Sequence, residues 1–533
     1  MTRSAAVIGA GLAPARAARP IPRGQRVHVV GAAGAGAGGA ALLATWAGAE
    51  VSGCDPGGPS PYSAAVEDAG IRIDWQHDPE HVRGLPHPDR LAVTKALTAI
   101  DPDHPELAAA RELRIPLEPW QQVVADAAAG RNLVAVAGTH GKSTSAGWLV
   151  HVLVAAGADP SAFVGALLPS SITGGSPATA RRGAGPHVVV EADEYAGNFD
   201  PYRPAVALLT NLEWDHPDVF ADRAAVIGSV EAWLRRAVAD TDRDTPTKPA
   251  TAPVRPVLVA NVSDPGDAEL VARLRDWPGE LIATALVDTA ARRLSGYRRG
   301  IEEQFATAAG PPRTILGHIV RTDPDGTTIE ITGLDDRAEP LRVRLATAGR
   351  HNAGNALGVA ATAHRLGIGT ARLASGLGSF TGVGRRLERL GESRGVVVYD
   401  DYGHHPTAIR ETLRALRQRE PGRRLWAVYE PLTYHRTVAF LGEFAEALAG
   451  ADAVAIAEIW AGRDPDRTIA SAEGLAQAIA SRRPDIPTAA PGTVQQTADW
   501  LADEVRPGDA VLVMGGGHSY QIGPRLLAAL EAR

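Results

Sequence analysis

The chain has little cysteine, methionine and aromatic residue for its size. Its 533 residues include one cysteine, Cys54, and two methionines, and Phe, Trp and Tyr together make up 5%. One cysteine excludes an internal disulfide framework and any metal site built from several cysteines, and it is consistent with a reducing, cytoplasmic compartment. No apolar run reaches the roughly 20 residues of a membrane-spanning helix, so we expect no membrane insertion. The formal net charge of −7 argues against a general nucleic-acid binder, which usually carries a basic surplus.

The rest of the composition is ordinary for a globular protein, with 45% hydrophobic and 22% charged residues. A chain of this length predicts about three domains of roughly 100–200 residues each. Strand-like stretches alternate with helical ones almost throughout, which favours α/β layers with parallel sheets. We therefore expect a Rossmann-like domain at residues 25–130, a central domain with a mostly parallel sheet at residues 131–382, and a second Rossmann-like domain at residues 383–533.

The amino-terminal residues 1–24 are rich in Ala and Gly and precede the first strand pattern, so we interpret them as a flexible extension. Arg3 and the small residues Ala13 and Ala15 give this segment a weak likeness to a secretory signal peptide, which is the minor alternative. Two further stretches, residues 241–256 and 291–313, are irregular and are expected to be loops or insertions.

The most informative segment is NLVAVAGTHGKST, residues 132–144, in which an apolar strand runs into a glycine-bracketed loop and then a helix. Loop amides and a helix N-terminus point at anionic oxygens, Lys142 would bridge the distal phosphates, and the hydroxyl of Ser143 can hold Mg²⁺. The usual pattern has a glycine five residues before Gly141, where this chain has Val136. The segment therefore predicts a variant phosphate loop that binds a nucleotide in the central domain.

A first glycine loop, GAAGAG, contains Gly31, Gly34 and Gly36 and is followed by Asp55 at the end of the next predicted strand. The spacing is not the G-x-G-x-x-G of dinucleotide-binding proteins, and Asp55 stands where a ribose-binding carboxylate is expected. The loop is compatible with NAD, with the diphosphate of another nucleotide, or with close packing of a helix on a sheet.

Acidic residues follow two strands of the central domain. VVVEADE ends in Glu191, Asp193 and Glu194, and NLEWDH ends in Asp215 and His216. Carboxylates at the carboxyl end of a buried strand, in the same domain as a phosphate loop, are suited to hold Mg²⁺ directly or through water. The alternative is a solvated strand end with ordinary surface acids.

A third set of polar residues lies in GRHNAGN, GRRLE and YDDYGHHP, at residues 349–355, 384–388 and 399–406. Asn352 could contact an adenine or ribose, Arg386 a phosphate, and Asp401 a ribose hydroxyl. Each could equally be a helix cap, a salt-bridge partner or a turn residue.

At these residues the chain resembles the Mur ligase family, from about Arg26 to the C-terminus. GTHGKST, EADE, NLEWDH, GRHNAGNAL, GVGRRLE and YDDYGHHPTAI occur in the family's order, and the joint match is highly specific. The resemblance implies a UDP-sugar domain, a central ATPase domain and an amino-acid-binding domain. The implied reaction activates the carboxylate of UDP-N-acetylmuramate as an acyl phosphate with ATP and Mg²⁺, and an incoming amine then attacks it.

The resemblance also implies functional residues. The expected catalytic residues are Lys142, Glu191 and His216, and the expected Mg²⁺ ligands are Ser143, Glu191 and His216. The ATP contacts are expected at Gly138, Thr139, His140, Gly141, Lys142, Ser143, Thr144, Asn352, Arg386 and Asp401. Substrate contacts are expected at Gly31, Gly34, Gly36, Asp55, His77, Tyr402, His405 and Arg436.

Departures from the family pattern bear on the acceptor. Later-acting ligases of the family carry a modified lysine soon after the DH pair, and residues 220–233 here contain none, as in the branch that adds L-alanine. EPLTYHRT has Leu432 in place of a histidine, and Glu430 also departs from that branch. Ala33, Gly38 and His518 are further departures. We expect L-alanine as the acceptor, with the recycling ligase that attaches a murein tripeptide as the alternative.

Other classes fit less well. A folylpolyglutamate synthase-like ligase leaves the first domain unexplained, and a dehydrogenase is disfavoured by the glycine spacing of the first loop. A regulatory protein that has lost catalysis is disfavoured by the intact Lys142, Ser143, Glu191 and His216. Protein partners and the oligomeric state do not follow from the sequence.

Overall fold

The computed structural model describes residues 3–241, 255–288, 294–335, 339–462, 464 and 466–533. Its strands form three sheets of five, ten and six strands, and most neighbouring strands are parallel. The α/β class with mostly parallel sheets, predicted from the alternation of strands and helices, is confirmed. The three sheets use residues 26–119, 132–345 and 388–515, whereas the exact domain boundaries remain predictions.

The first sheet is entirely parallel and has the order β3-β2-β1-β4-β5. Its strands are β1 (Arg26–Val30), β2 (Glu50–Cys54), β3 (Arg72–Asp74), β4 (Arg90–Val93) and β5 (Leu117–Pro119). The helices before and between them are α1 (Ala5–Ile8), α2 (Ala35–Trp46), α3 (Ser63–Asp68), α4 (Glu80–Arg83), α5 (Lys95–Ile100), α6 (Pro105–Glu112) and α7 (Trp120–Ala127). The glycines of α2 allow close packing, because a side chain at Gly39 would meet Phe163 and Thr179 of the second sheet.

The amino-terminal segment is packed and is not the flexible extension that its composition predicts. Ile8 is fully buried, and the backbone N–H of Arg3 donates to the carbonyl oxygen of Asp218 at 2.7 Å. Arg16 pairs with Asp126 at 2.8 Å and with Glu118 at 2.9 Å. A few long-range contacts therefore fix a segment whose local sequence shows no core-forming period.

The second sheet has the order β15-β14-β13-β12-β11-β10-β6-β9-β7-β8, and β8, β14 and β15 are antiparallel to a neighbour. Its strands are β6 (Asn132–Ala137), β7 (Ser161–Leu168), β8 (Ala178–Arg181), β9 (His187–Glu191), β10 (Val206–Leu209), β11 (Val257–Asn261), β12 (Glu280–Val287), β13 (Arg313–Asp323), β14 (Gly326–Thr332) and β15 (Leu341–Leu345). Its helices are α8 (Lys142–Ala155), α9 (Ser170–Thr173), α10 (Arg223–Thr241), α11 (Pro265–Arg273), α12 (Leu294–Gln304), α13 (Arg350–Arg365) and α14 (Thr370–Ser379).

The helix after the phosphate loop, α8, is buried on nearly all sides rather than on one face. Trp148 is fully buried and its ring stacks on that of Phe380, with the centroids 4.7 Å apart. Of the two predicted insertions, residues 242–254 lie outside the described residues. In the other, α12 occupies residues 294–304, so that stretch is partly helical and not the loop expected from its composition.

The third sheet has the order β16-β17-β21-β18-β19-β20 and is parallel except for its edge strand β16. Its strands are β16 (Glu388–Ser393), β17 (Val396–Asp401), β18 (Arg424–Glu430), β19 (Ala453–Ala457), β20 (Thr488–Gly492) and β21 (Asp509–Gly515). Its helices are α15 (Pro406–Arg419), α16 (Tyr434–Ala439), α17 (Leu441–Leu448), α18 (Ala472–Arg482), α19 (Val494–Glu504) and α20 (Ile522–Glu531). Among the described helices of all three parts, none has the length and apolar character to cross a bilayer.

Candidate active site

The phosphate loop lies between β6 and α8 and depends on two glycines. Gly138 and Gly141 have φ angles of 132° and 77°, which side chains rarely adopt. A side chain at Gly138 would also overlap Thr210. Asn211, just after β10, holds the loop in place. The amide of His140 donates to its Oδ1 and the amide of Thr139 to its carbonyl oxygen, each at 2.9 Å. The result is a rigid turn that leads directly into the helix N-terminus, where an anion is favoured.

Lys142, the first residue of α8, is held by carboxylates. Its Nζ lies 2.9 Å from Glu194 Oε2 and 4.0 Å from Asp193 Oδ1. Burial would lower the pKa of Lys142, but these carboxylates raise it above its usual value, so the side chain stays charged. A fixed cation therefore stands at the mouth of the phosphate loop.

Ser143 joins the central strands to the third part of the chain. Its Oγ donates to Glu191 Oε1 at 2.9 Å and accepts from Arg386 Nη2 at 2.8 Å. The other oxygen of Glu191 accepts the amide of Gly165 at 2.6 Å. The hydroxyl and the carboxylate predicted as metal ligands are thus in contact.

His216 is close to a different pair of acids. One ligand atom from each of Asp193, Glu194 and His216 forms a group within 4.8 Å. Arg436 Nη2, from the third sheet's side of the molecule, donates to Asp215 Oδ1 at 2.6 Å and lies 3.2 Å from His216 Nδ1. The structure therefore brings Ser143 and Glu191 together, and places His216 with the neighbouring acids of the same strand end.

These acids have the chemistry of a divalent-cation site. Glu194 Oε1 is buried and has no hydrogen-bond partner within the described ranges. Burial raises the pKa of Glu194 to about 7 despite the neighbouring Lys142. Mg²⁺ prefers oxygen ligands, and a buried carboxylate oxygen without a hydrogen-bond partner is suited to bind it. The residues present therefore fit this ion, with Ser143, Glu191 and His216 as proposed ligands and Asp193 and Glu194 as two more acids beside them.

A cavity of about 170 Å³ opens beside the phosphate loop. Six of the predicted nucleotide contacts line it together with Asn355: they are His140, Gly141, Thr144, Asn352, Arg386 and Asp401. Asn352 donates to the Ala348 carbonyl oxygen at 2.8 Å. Both oxygens of Asp401 accept backbone amides, from Leu387 and Gly403, at 2.7 Å each. Asp401 therefore shapes the loop that carries Arg386.

A larger cavity of about 390 Å³ joins all three parts of the chain. Gly36, Lys95 and Trp120 come from the first part, and Lys142 and His216 from the second. The third part contributes Arg386, Tyr402, His404, His405, Leu432 and Arg436. A phosphate loop, an acidic cluster and a third-domain arginine thus line one shared cavity.

The predicted substrate residues fall into two groups. Gly36, Tyr402, His405 and Arg436 line the larger cavity. Gly31, Gly34, Asp55 and His77 are not among its lining residues. Asp55 Oδ2 accepts the amide of Ala33 at 3.1 Å and so supports the first glycine loop. His77 turns toward Cys54, with Nδ1 3.3 Å from Sγ.

Sequence reasoning missed several cavity residues from the first part of the chain. Lys95 donates to the Ala196 carbonyl oxygen at 2.7 Å and lines the larger cavity beside Trp120. Neither residue belongs to a motif, so their position at the cavity follows only from the packing of the first sheet against the second. Of the two departures near the acceptor, Leu432 lines the cavity, whereas Glu430 accepts the amide of Ser519 at 2.7 Å.

A phosphate loop that faces a cavity shared by three α/β parts defines a nucleotide-dependent enzyme. The family described as "Mur ligase family, catalytic domain" matches residues 26–132, and "Mur ligase, glutamate ligase domain" matches residues 385–517. Together with relatives that align over nearly the whole length, these matches show that the chain belongs to the Mur ligase family, as its motifs predict.

Two relatives are named UDP-N-acetylmuramate–L-alanine ligase. The one from Frankia casuarinae is 35% identical, with 95% of this chain and 98% of the relative covered. The one from Kineococcus radiotolerans is 36% identical, with 96% and 98% covered.

Solved structures share the fold. The UDP-N-acetylmuramate-alanine ligase of Thermotoga maritima superposes with a TM-score of 0.70 at 22% identity, over 95% of this chain and 99% of that one. A murein peptide ligase of Psychrobacter arcticus gives 0.67 at 24% identity, with the same coverage. The three-domain fold class is confirmed by both.

Proposed function

We propose that this protein is an ATP- and Mg²⁺-dependent ligase that joins L-alanine to the lactyl carboxylate of UDP-N-acetylmuramate in the cytoplasm, through an acyl phosphate. The observation that carries the proposal is the single cavity in which Lys142, the acidic cluster and Arg436 meet. The names of relatives that are 35–36% identical over nearly the whole chain supply the substrates.

The chain's own groups account for activation of the carboxylate. When bound, ATP supplies the phosphoryl group and Mg²⁺ offsets the charge on its oxygens. Phosphoryl transfer is mostly a matter of positioning and charge neutralisation. Two fixed cations are available: Lys142, which pairs with Glu194, and Arg386, which donates to Ser143. Glu191, Ser143 and His216 would hold the metal.

The third part of the chain would place the amine. Tyr402, Leu432 and Arg436 line the same cavity as Lys142, so an amino acid bound among them faces the activated carboxylate. Arg436 is fixed by Asp215, which leaves its guanidinium at a defined position beside His216. Holding two reactants in such an orientation accounts for a large share of the rate of amide formation.

Phosphate release by the purified protein tests the proposal. We expect release only when ATP, Mg²⁺, UDP-N-acetylmuramate and L-alanine are all present, and omission of any one should return the rate to background. Equal turnover without the UDP-sugar would contradict the assignment.

A murein tripeptide is the second candidate acceptor. The structural likeness to the Psychrobacter arcticus murein peptide ligase and Leu432 in the acceptor region support it, whereas the named relatives at higher identity favour L-alanine. Profiling L-alanine, L-serine, glycine and the tripeptide L-alanyl-γ-D-glutamyl-meso-diaminopimelate decides between them. A tripeptide that outcompetes L-alanine would reverse the assignment.

A further inference from the structure

A compact group of metal-ligating side chains lies in the first part of the chain, away from the phosphate loop. Ligand atoms of His28, Cys54, His81 and Glu106 all lie within 4.8 Å of one another. Glu106 is at the centre: it lies 2.9 Å from His81 Nδ1, 3.2 Å from Cys54 Sγ and 3.8 Å from His28 Nε2. These four residues are called the first-domain cluster below.

Three members of the cluster are buried, His81 is 15% exposed, and one buried polar atom of the cluster lacks a hydrogen-bond partner within the described part of the chain. Cys54 and Glu106 are fully buried and His28 is 2% exposed. His28 Nε2, the nitrogen that faces Glu106, is buried and has no hydrogen-bond partner among the described residues. An unpartnered imidazole nitrogen that points at a thiol and a carboxylate indicates a missing cation, because burying such groups without a partner is unfavourable.

The second ring nitrogen of each histidine lies near a polar side chain outside the cluster. His28 Nδ1 lies 2.9 Å from Ser52 Oγ, and His81 Nε2 lies 3.6 Å from Asp74 Oδ2. Metal-binding histidines almost always have a carboxylate, carbonyl or water at the nitrogen that does not bind the metal, which fixes the ring. Both rings are therefore oriented with their remaining nitrogens toward the cluster.

We propose that His28, Cys54, His81 and Glu106 form a structural Zn²⁺ site. Two imidazoles, a thiolate and a carboxylate are the donor types that Zn²⁺ takes in four-coordinate sites. A tetrahedral Zn²⁺ holds such ligand atoms about 3.3–3.7 Å apart. Glu106 Oε2 lies 3.2 Å from Cys54 Sγ and 3.8 Å from His28 Nε2, and Oε1 lies 3.3 Å from Cys54 Sγ and 2.9 Å from His81 Nδ1. The ion, one thiolate and one carboxylate sum to zero charge, which suits a buried position.

The site would fix the first glycine loop. Cys54 ends β2, and its carbonyl oxygen accepts the amides of Gly31 at 2.8 Å and Ala32 at 3.1 Å. A metal bound at Cys54 Sγ therefore holds the strand end that positions the loop after β1. The residue that follows, Asp55, supports the same loop through Ala33.

The first experiment uses the full-length wild-type protein. Metal analysis after extensive dialysis should find about one Zn²⁺ per chain. After removal of zinc and addition of Co²⁺ in excess Mg²⁺, the protein should show a thiolate-to-cobalt charge-transfer band. Because Cys54 is the chain's one cysteine, this band cannot arise from the oxygen-rich cluster beside Lys142. X-ray absorption at the zinc edge should show one sulfur in the metal's shell, and a shell without sulfur would overturn the proposal.

Variants provide the second experiment. Cys54→Ser should abolish the charge-transfer band. Asp74→Asn changes the group behind His81 and an exposed pair with Arg72, and it should weaken Zn²⁺ binding by about 10- to 100-fold. His87→Gln is the matched control, since His87 lies in the same domain, outside the cluster, with Nδ1 3.1 Å from the Val82 carbonyl oxygen; it should bind Zn²⁺ as the wild type does. A band that persists in Cys54→Ser, or equal Zn²⁺ affinity in Asp74→Asn, would refute the site. If Cys54→Ser does not fold, the wild-type absorption data decide.

Discussion

Arg386 donates a hydrogen bond of 2.8 Å to the Ser143 hydroxyl, from the third part of the chain to the first turn of the helix after the phosphate loop. The same guanidinium lies over the ring of Tyr402, 5.1 Å from its centroid, an attractive arrangement. Ser143 is also bound to Glu191 at 2.9 Å. The phosphate loop, the acidic strand end and a cavity residue of the third sheet are therefore coupled through one side chain.

Replacing Arg386 should impair catalysis more than folding. In Arg386→Ala we expect kcat/KM for ATP to fall by about 100- to 1000-fold, because a fixed cation beside the transferring phosphoryl group is lost. Phosphate release under saturating UDP-sugar and L-alanine measures the effect. Arg389→Ala is the matched control: Arg389 is exposed and pairs with Glu392 on the same edge strand. Comparable losses in the two variants would show that Arg386 has no special role.

Lys142 is expected to be essential for turnover. Lys142→Ala removes the charge that Asp193 and Glu194 hold at the phosphate loop, so we expect kcat to fall by at least about 100-fold. Circular dichroism and thermal unfolding should confirm that the variant is folded. Turnover near the wild-type rate in a folded variant would contradict the mechanism.

The local parts of the site follow from the sequence. Residues 138–144 are fixed by the strand before them and the helix after them. Glu191 ends β9 and His216 follows β10, and both strands border β6. Carboxyl ends of parallel strands meet at one edge, so sequence order alone places these groups near one another.

The contacts between distant parts of the chain cannot be predicted from the sequence in this way. His216 Nε2 lies 3.7 Å from Glu194 Oε1. The motifs do not predict this proximity, because the position of His216 also depends on its contact with Arg436. Lys95 and Trp120 reach the cavity only through packing of the first sheet on the second. The same reason explains the packed amino terminus, since Ile8 and Arg16 find their partners more than 80 residues away.

The pair of Arg436 and Asp215 should be important for stability. Both side chains are about 4–5% exposed and their closest atoms are 2.6 Å apart. Arg436→Ala leaves Asp215 buried without its charge partner, which costs about 3–5 kcal/mol. Urea unfolding measures this loss. Arg417→Ala, which removes an exposed pair with Asp452, should cost about 1 kcal/mol or less. Equal losses in the two variants would contradict the stabilising role of the buried pair.

Asp267 gives a pH-dependent prediction. Its side chain is fully buried in the first turn of α11, and burial, with a contribution from Asp264, raises its pKa well above the usual value. A carboxyl group whose folded-state pKa is raised holds its proton more tightly in the folded state than in the unfolded state. The free energy of unfolding therefore falls as pH rises above about 4, the ordinary pKa of an aspartate. Asp267→Asn should therefore raise Tm at pH 8, and the gain should shrink as pH falls toward 4. A gain independent of pH would contradict this account.

Leu432 is expected to limit the size of the acceptor side chain. It lines the larger cavity with Tyr402 and Arg436, and shortening it to alanine opens space where the amino acid would lie. One methylene in an apolar pocket is worth about 10- to 200-fold in discrimination, so Leu432→Ala should lower the kcat/KM preference for L-alanine over L-valine by about 10-fold. Leu441→Ala, at a position that is 39% exposed, should leave the preference unchanged. An unaltered ratio in Leu432→Ala would place the acceptor elsewhere in the cavity, because a residue bordering the amino acid cannot lose three carbon atoms without changing which side chains fit.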